Sequence, residues 1–276
     1  MRNRTEDQMT LALIRHGETK ANREHRYLGR TDEGLSKDGI DRLLEYKRRN
    51  DYPAAGFLFS SPMKRCLETA EILYPNLSPV IIPEWVEMDF GRFEYKTYEE
   101  LKGDAQYQAW VDSRGTLAFP EGEGREQFIL RCEKGFDKMS REFFRAVEKQ
   151  KQRTPKSTRE IRDRRKNTRK QADAACIVHG GTIMALLSRL LGNDYYDYQV
   201  ANGGGFLCRM RDMGGREGFM GNVGMQDMGS RAGFVGDVRM QDMGSRAGFA
   251  GDVRMQDMGG RAIFVEAVRL GGCISE

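Results

Sequence analysis

The chain has 276 residues, enough for one large domain or two small ones. Its 39% apolar content is low for that length and its 32 glycines are many, so part of it is not core. The net charge of +4 is segregated: residues 149–170 hold 11 Lys/Arg against 2 Asp/Glu, and the rest of the chain is net −5, which argues against a generally basic, nucleic-acid-binding surface. Five cysteines at 66, 132, 176, 208 and 273 form no CxxC pair and no metal-ligand spacing, as expected of reduced thiols in a cytoplasmic protein. Leu11 to Ile14 is too short for a signal-peptide core, and no run approaches membrane-spanning length, so no membrane partner is expected.

In chain order, residues 9–15 read as a buried strand. Ser36 to about Arg49 reads as a helix with Ile40, Leu43 and Leu44 at helical spacing. Gly56 to Ser60 is a second strand. Ser61-Pro62 then predicts a helix start, serine as N-cap and proline at the first helical position, running to about Tyr74. Val80 to Ile82 is a third strand, and short helices follow within 97–112. Arg125 to about Gln150 is a long amphipathic helix with Phe128, Cys132, Phe136, Met139 and Phe143 on one stripe. Ala174 to Val178 is a fourth strand, Thr182 to Leu191 its helix, and Gly205 to Cys208 a fifth strand. Strand alternating with helix predicts an α/β domain: a three-layer sandwich, a mostly parallel central sheet with helices on both faces.

Two segments stand outside this pattern. Residues 149–170 form a basic insertion without an aromatic residue to stack on a base, so a solvated insertion is favoured over a docking patch. A 15-residue unit at 225–239 recurs almost unchanged at 240–254, with diverged copies at 210–224 and 255–269. Each copy has little to bury, which predicts a flexible or weakly β-structured tail over 210–269, followed by 270–276. Ile263 to Val268 reads as a candidate last strand displaced by the expansion. The expected division is a catalytic domain over 1–209, carrying the insertion, and then the repeats.

The chemistry is concentrated at strand ends. Arg15-His16-Gly17-Glu18-Thr19 closes the first strand, and His179-Gly180-Gly181 closes the fourth, using two of only three histidines. Histidine attacks phosphorus only as neutral imidazole, which neighbouring cations favour. Arg15 and Arg65 supply planar forks that match phosphate oxygens, and an arginine in the first helical turn brings helix N-terminal donors with it. His16 with Glu18 is too sparse a pair for a metal site. His25 reads as a surface histidine.

These motifs resemble the signature of the histidine phosphatase superfamily, the phosphoglycerate mutase-like fold. Arg15-His16-Gly17-Glu18-Thr19 with Asn22, Gly29 to Asp32, Leu35 to Gly39, Ser60 to Arg65 with Thr69-Ala70, Glu87 to Gly91 and Val178 to Gly181 follow the family's order over residues 9–209. The resemblance is nearest to small bacterial phosphatases of the α-ribazole phosphatase type. It implies a phosphohistidine on His16, Glu87 as proton donor and base, and His179 as a donor to the transferring group. It also implies phosphate contacts from Arg15, Asn22, Arg65 and the Gly180 backbone, and neither metal nor cofactor. The implied function is metal-independent hydrolysis of a small phosphorylated metabolite. A mutase ranks lower because only Lys96, Lys102 and Arg114 are basic between Glu94 and Pro120. A non-catalytic scaffold ranks lower still because the catalytic set is intact. Two departures from the family pattern, Phe93-Glu94-Tyr95 and a glycine at 124 in place of serine, bear on substrate identity and on a helix cap.

Overall fold

The computed structural model describes residues 8–153, 171–192, 194–212, 253–257 and 262–270. Most of the basic insertion, residues 154–170, and most of the repeat segment lie outside the described residues.

Strands β1 (Gln8–Arg15), β2 (Ala54–Ser60), β3 (Val80–Ile81), β4 (Gln171–Val178), β5 (Gly205–Asp212), β6 (Val253–Asp257) and β7 (Ala262–Leu270) form one sheet in the order β3-β2-β4-β1-β5-β7-β6. The first four are mutually parallel. Leu11, Ala12, Leu13 and Ile14 of β1 and Ala174 to Val178 of β4 are all buried, as continuous apolar runs must be when both faces of a parallel sheet are covered. Besides the short helices α1 (Lys20–Arg23), α4 (Tyr98–Leu101) and α5 (Ala105–Asp112), one face of the sheet carries α2 (Lys37–Arg48) and α3 (Lys64–Leu73), the other α6 (Arg125–Arg153) and α7 (Gly180–Leu191). The stripe Phe128, Cys132, Phe136, Met139 and Phe143 of α6 is buried as its spacing requires. Each of these phenylalanines contributes roughly 1.5–3 kcal/mol by leaving water.

The sheet is not parallel throughout. β5 runs antiparallel to β1, with Gly205 opposite Ile14, and β7 runs antiparallel along β5 from Gly205↔Leu270 to Asp212↔Ile263. Strand β7 therefore includes the Ile263–Val268 segment and pairs beyond residue 209. β6 adds a further antiparallel edge. At the start of β5 only glycine fits, because a Cβ on Gly205 would stand 2.0 Å from the Leu13 carbonyl oxygen.

Helix starts differ from expectation in one informative place. Ser36, where the sequence reading begins this helix, caps α2 by accepting from the Gly39 N–H. α3, however, begins at Lys64 and not at Pro62; Met63 is its N-cap position and supplies no side-chain bond. Its first N–H, on Lys64, is taken by Asp32 at 2.7 Å, and the Cys66 N–H turns back to the Met63 carbonyl. These two donors are therefore not offered to a phosphate. α7 starts two residues earlier than predicted, directly after His179.

The glycine at 124 behaves as half of a capping box. Its carbonyl accepts from the Phe128 N–H, and the Gln127 side chain accepts from its N–H, but it has no hydroxyl to return the favour. A Cβ there would make ordinary contacts with Ala118 and Gln127. Gly124→Ser is expected to stabilise the fold by a few tenths of a kcal/mol, seen as a small rise in thermal midpoint. A fall would show that the hydroxyl finds no partner.

Candidate active site

Three parallel strands end together. The register places Arg15 beside Val178 and Ser60 beside Ile177, so His16, Ser61 and His179 emerge at one sheet edge. This is where the carboxyl ends of parallel strands present ligand sites.

The two imidazoles meet edge to face, ring centroids 5.2 Å apart at 66°. His16 Nδ1 lies 2.7 Å from the Gly17 carbonyl oxygen, which can only accept, so Nδ1 carries the hydrogen and Nε2 keeps its lone pair. The Gly17 turn is itself held: its N–H donates to Thr69 Oγ1, whose hydroxyl donates to the Arg65 carbonyl. His179 Nε2 lies 2.8 Å from Ser61 Oγ. The serine read as a helix cap is instead a partner of the second histidine, and its hydroxyl fixes the ring. Cys66 Sγ stands 3.6 Å from Nε2 and 3.8 Å from Nδ1 of His179.

Both histidines are held well below their ordinary pKa. For His16, burial is the largest cause, and Arg65 and then Arg15 add to it. Desolvation thus outranks the neighbouring cations invoked from sequence. His179 is shifted by burial first, then Arg65, His16 and Arg15.

Arg65 is completely buried. Its Nη1 donates to the Thr31 carbonyl and its Nη2 to the Gly29 carbonyl, while the N–H groups of Gly29 and Thr31 both donate to Glu94 Oε1. Glu94 therefore aims the loop that holds the arginine. Arg15 donates from Nη1 to the Val200 carbonyl. The Nε groups of Arg15 and Arg65 are buried and bond to no described protein atom. An orphaned buried cationic donor is costly, and two beside His16 are suited to an anion.

Glu87 is buried, and burial raises its pKa above the usual carboxylate range. The Met88 N–H, Arg65, Arg15 and the Gly181 N–H oppose that rise. A Cβ on Gly181 would stand 2.5 Å from Glu87 Oε1, so glycine lets the carboxyl approach the N-terminus of α7. Gly180 packs on Arg15. Asn22 Oδ1 accepts from the Thr19 N–H and from Asn202 Nδ2, which leaves the amide its Nδ2 donors. Asn202, which the sequence reading missed, also reaches the carbonyls of His16 and Gly17 from the loop before β5. Glu18 pairs with Arg23 and Arg42, outside this cluster, and His25 is exposed. No group of three or more His, Cys, Asp or Glu suited to a metal occurs among the described residues.

Paired imidazoles held toward the neutral form, two guanidinium groups with buried Nε donors and a buried carboxyl form a candidate site whose chemistry suits a phosphoryl-type anion. Residues 11–147 match the histidine phosphatase superfamily, branch 1. The chain is 32% identical over 136 residues to the adenosylcobalamin/alpha-ribazole phosphatase of Escherichia coli K12, covering 48% of this chain and 67% of that protein. It is 30% identical over 130 residues to the protein of the same name from Salmonella typhimurium, covering 46% and 64%. Its fold matches the crystal structure of the alpha-ribazole phosphatase from Shigella flexneri with a TM-score of 0.54 at 25% identity, over 74% of this chain and 90% of that one. The chain belongs to the histidine phosphatase superfamily. His179 and Gly180 lie beyond the matched residues 11–147, and it is the fold that brings them to His16. No described helix is long and apolar enough to cross a membrane.

Proposed function

We propose that the protein hydrolyses phosphomonoesters through a covalent phosphohistidine on His16. The observation that carries this reading is the Nδ1–H bond of His16 to the Gly17 carbonyl, which leaves Nε2 as a nucleophile near Arg15 and Arg65, each of which keeps a buried Nε donor without a described partner. In the first step His16 Nε2 attacks phosphorus and the P–O bond to the alcohol breaks. Glu87, protonated, gives its proton to the leaving alkoxide. In the second step the Glu87 carboxylate takes a proton from water, the resulting hydroxide attacks phosphorus, and the P–N bond breaks. Phosphate leaves, and His16 is again neutral and Glu87 again protonated. Arg15, Arg65, Asn22, the Gly180 N–H and His179 bind the three peripheral oxygens, an electrostatic clamp that supplies the charge stabilisation. Dividing hydrolysis into two displacements lowers each barrier. The names of the relatives make α-ribazole 5'-phosphate the first substrate to try.

The test is phosphate release from α-ribazole 5'-phosphate, 3-phosphoglycerate and p-nitrophenyl phosphate in EDTA. Release that persists in EDTA supports the reading. Interconversion of phosphoglycerates without release would instead assign a mutase, and no reaction on any ester would overturn the enzymatic reading.

The pH dependence follows from the shifts. His16 is competent when neutral, and its lowered pKa keeps it neutral well below pH 6.5. Glu87 is competent as the acid, and its raised pKa preserves that form above the usual carboxylate range. Activity is expected to peak on the acidic side of neutrality and to fall as rising pH deprotonates Glu87. Stability has the opposite limb. Two histidines buried neutral lose out to an unfolded chain that binds their protons, so stability declines as pH falls through about 6.5, by about 1.4 kcal/mol per pH unit for each histidine. Urea midpoints between pH 8 and pH 5 check this; a flat profile would show that the histidines are charged in the fold.

A further inference from the structure

Glu87 lies on a segment without regular secondary structure, between the turns Pro83–Trp85 and Gly91–Phe93, yet its carboxyl has to stand within reach of a leaving group. What fixes that segment is one side chain from α6. Arg131 Nη1 donates to the carbonyls of Glu84 at 2.7 Å and Val86 at 2.8 Å, and Nη2 reaches the carbonyl of Glu87 itself at 3.3 Å. Its other edge forms a two-bond pair with Glu123, Nε to Oε1 at 2.9 Å and Nη2 to Oε2 at 2.6 Å. A guanidinium has five N–H donors, and these five bonds use them all.

Glu123 is the second half of the device. Its N–H donates to the Asp89 carbonyl at 2.9 Å, and its carboxylate accepts from the Asp89 N–H at 3.4 Å. The backbone is thus gripped on both sides of Glu87, at 84–87 by Arg131 and at 89 by Glu123, and the two grips are joined by their ion pair. α6 is a long helix whose apolar stripe is packed in the core, so the reference point is rigid.

We propose that Arg131, locked by Glu123, is a positioning residue that sets the Glu87 carboxyl for proton transfer to the leaving group. The proposal rests on Glu87 being the acid of the hydrolysis above. Arg131 touches no reacting atom. It serves the proton-transfer step and not phosphate capture, which belongs to Arg15 and Arg65. Lysine cannot replace it, because an ammonium has three donors and no planar fork.

The two roles separate by leaving group. An alkyl phosphate such as glycerol 2-phosphate expels a poor alkoxide and needs the proton. p-Nitrophenyl phosphate expels a stable phenolate and does not. Arg131→Lys and Glu123→Gln are expected to lower kcat/KM, which reports the first displacement alone, on glycerol 2-phosphate by roughly 10- to 100-fold, the cost of a displaced general acid, and to leave kcat/KM on p-nitrophenyl phosphate within about threefold. Glu87→Gln should lose at least as much kcat/KM on glycerol 2-phosphate, and the Arg131→Lys/Glu87→Gln double variant should be no slower on that ester than Glu87→Gln alone. Circular dichroism confirms folding, and if Arg131→Lys does not fold, Glu123→Gln decides. Equal losses on both esters, or additive losses in the double variant, would overturn the positioning role while leaving the hydrolase reading intact. A wild-type protein that turns over neither ester would overturn both.

Discussion

His16→Ala is expected to abolish turnover of every phosphomonoester the protein accepts, with kcat lowered on the order of 10⁴-fold or more. The size of the effect follows from the role. A clamp residue that is lost leaves its neighbours in place, whereas a lost nucleophile removes the pathway and leaves direct attack of water. The structure shows why no neighbour substitutes. His179 is the only other imidazole at the sheet edge, and its Nε2 is held by Ser61. Nor is the loss explained by unfolding, since the Gly17 turn keeps its bond to Thr69 and its contacts with Asn202. A rapid-quench experiment with a ³²P-labelled ester adds a qualitative readout. Wild type should carry acid-labile, alkali-stable label in the first turnover, as a phosphoramidate does, and His16→Ala should carry none. Label retained by the alanine variant would move the nucleophile elsewhere.

Much of this site was legible in the sequence because it is written at strand ends. Apolar runs that stop at His-Gly fix both the strands and the residues that follow them, so His16 and His179 needed only the parallel pairing of β1 and β4 to meet. The start of α2 at Ser36 was legible because its cap is local, with donor and acceptor three residues apart. The misreading at Ser61-Pro62 is instructive. The local pattern is that of a helix start, but the Ser61 hydroxyl bonds to a histidine 118 positions away, and Asp32 caps α3 from 32 positions upstream. Side chains that serve distant backbone leave no local signature. That is also why Arg131 was not singled out: its partners include three main-chain carbonyls, which no side-chain pattern encodes. The antiparallel course of β5 and β7 was equally invisible, since strand direction is set by where the preceding loop re-enters the sheet. Asn202 acts from that loop and carries no motif of its own.

Arg65→Met is expected to lower kcat/KM on the order of 10³-fold and to remove the stabilisation that phosphate gives the folded protein. The reason lies in the charge balance of the site. Arg65 is buried and Arg15 half-buried, and the two are close enough that Arg65 helps to depress the Arg15 pKa, after the larger effect of desolvation. Burial and the nearby arginines hold both histidines well below their ordinary pKa, which favours the neutral ring, and burial pushes the Glu87 pKa upward. Little negative charge is left to offset two guanidinium groups, and each keeps a buried Nε without a described partner. A phosphate dianion supplies both the charge and the acceptors, so it binds the fold and not the unfolded chain. At a hundredfold excess over its Kd it should add about 2.7 kcal/mol, roughly 5–10 °C in the thermal midpoint. In Arg65→Met the same phosphate concentration should give almost no shift. The apo variant loses one buried charge from a like-charged pair but orphans the carbonyls of Gly29 and Thr31, so these effects oppose each other and its own midpoint should move little. A variant that keeps the full phosphate shift would place the anion away from Arg65, and with it the reacting phosphorus away from His16.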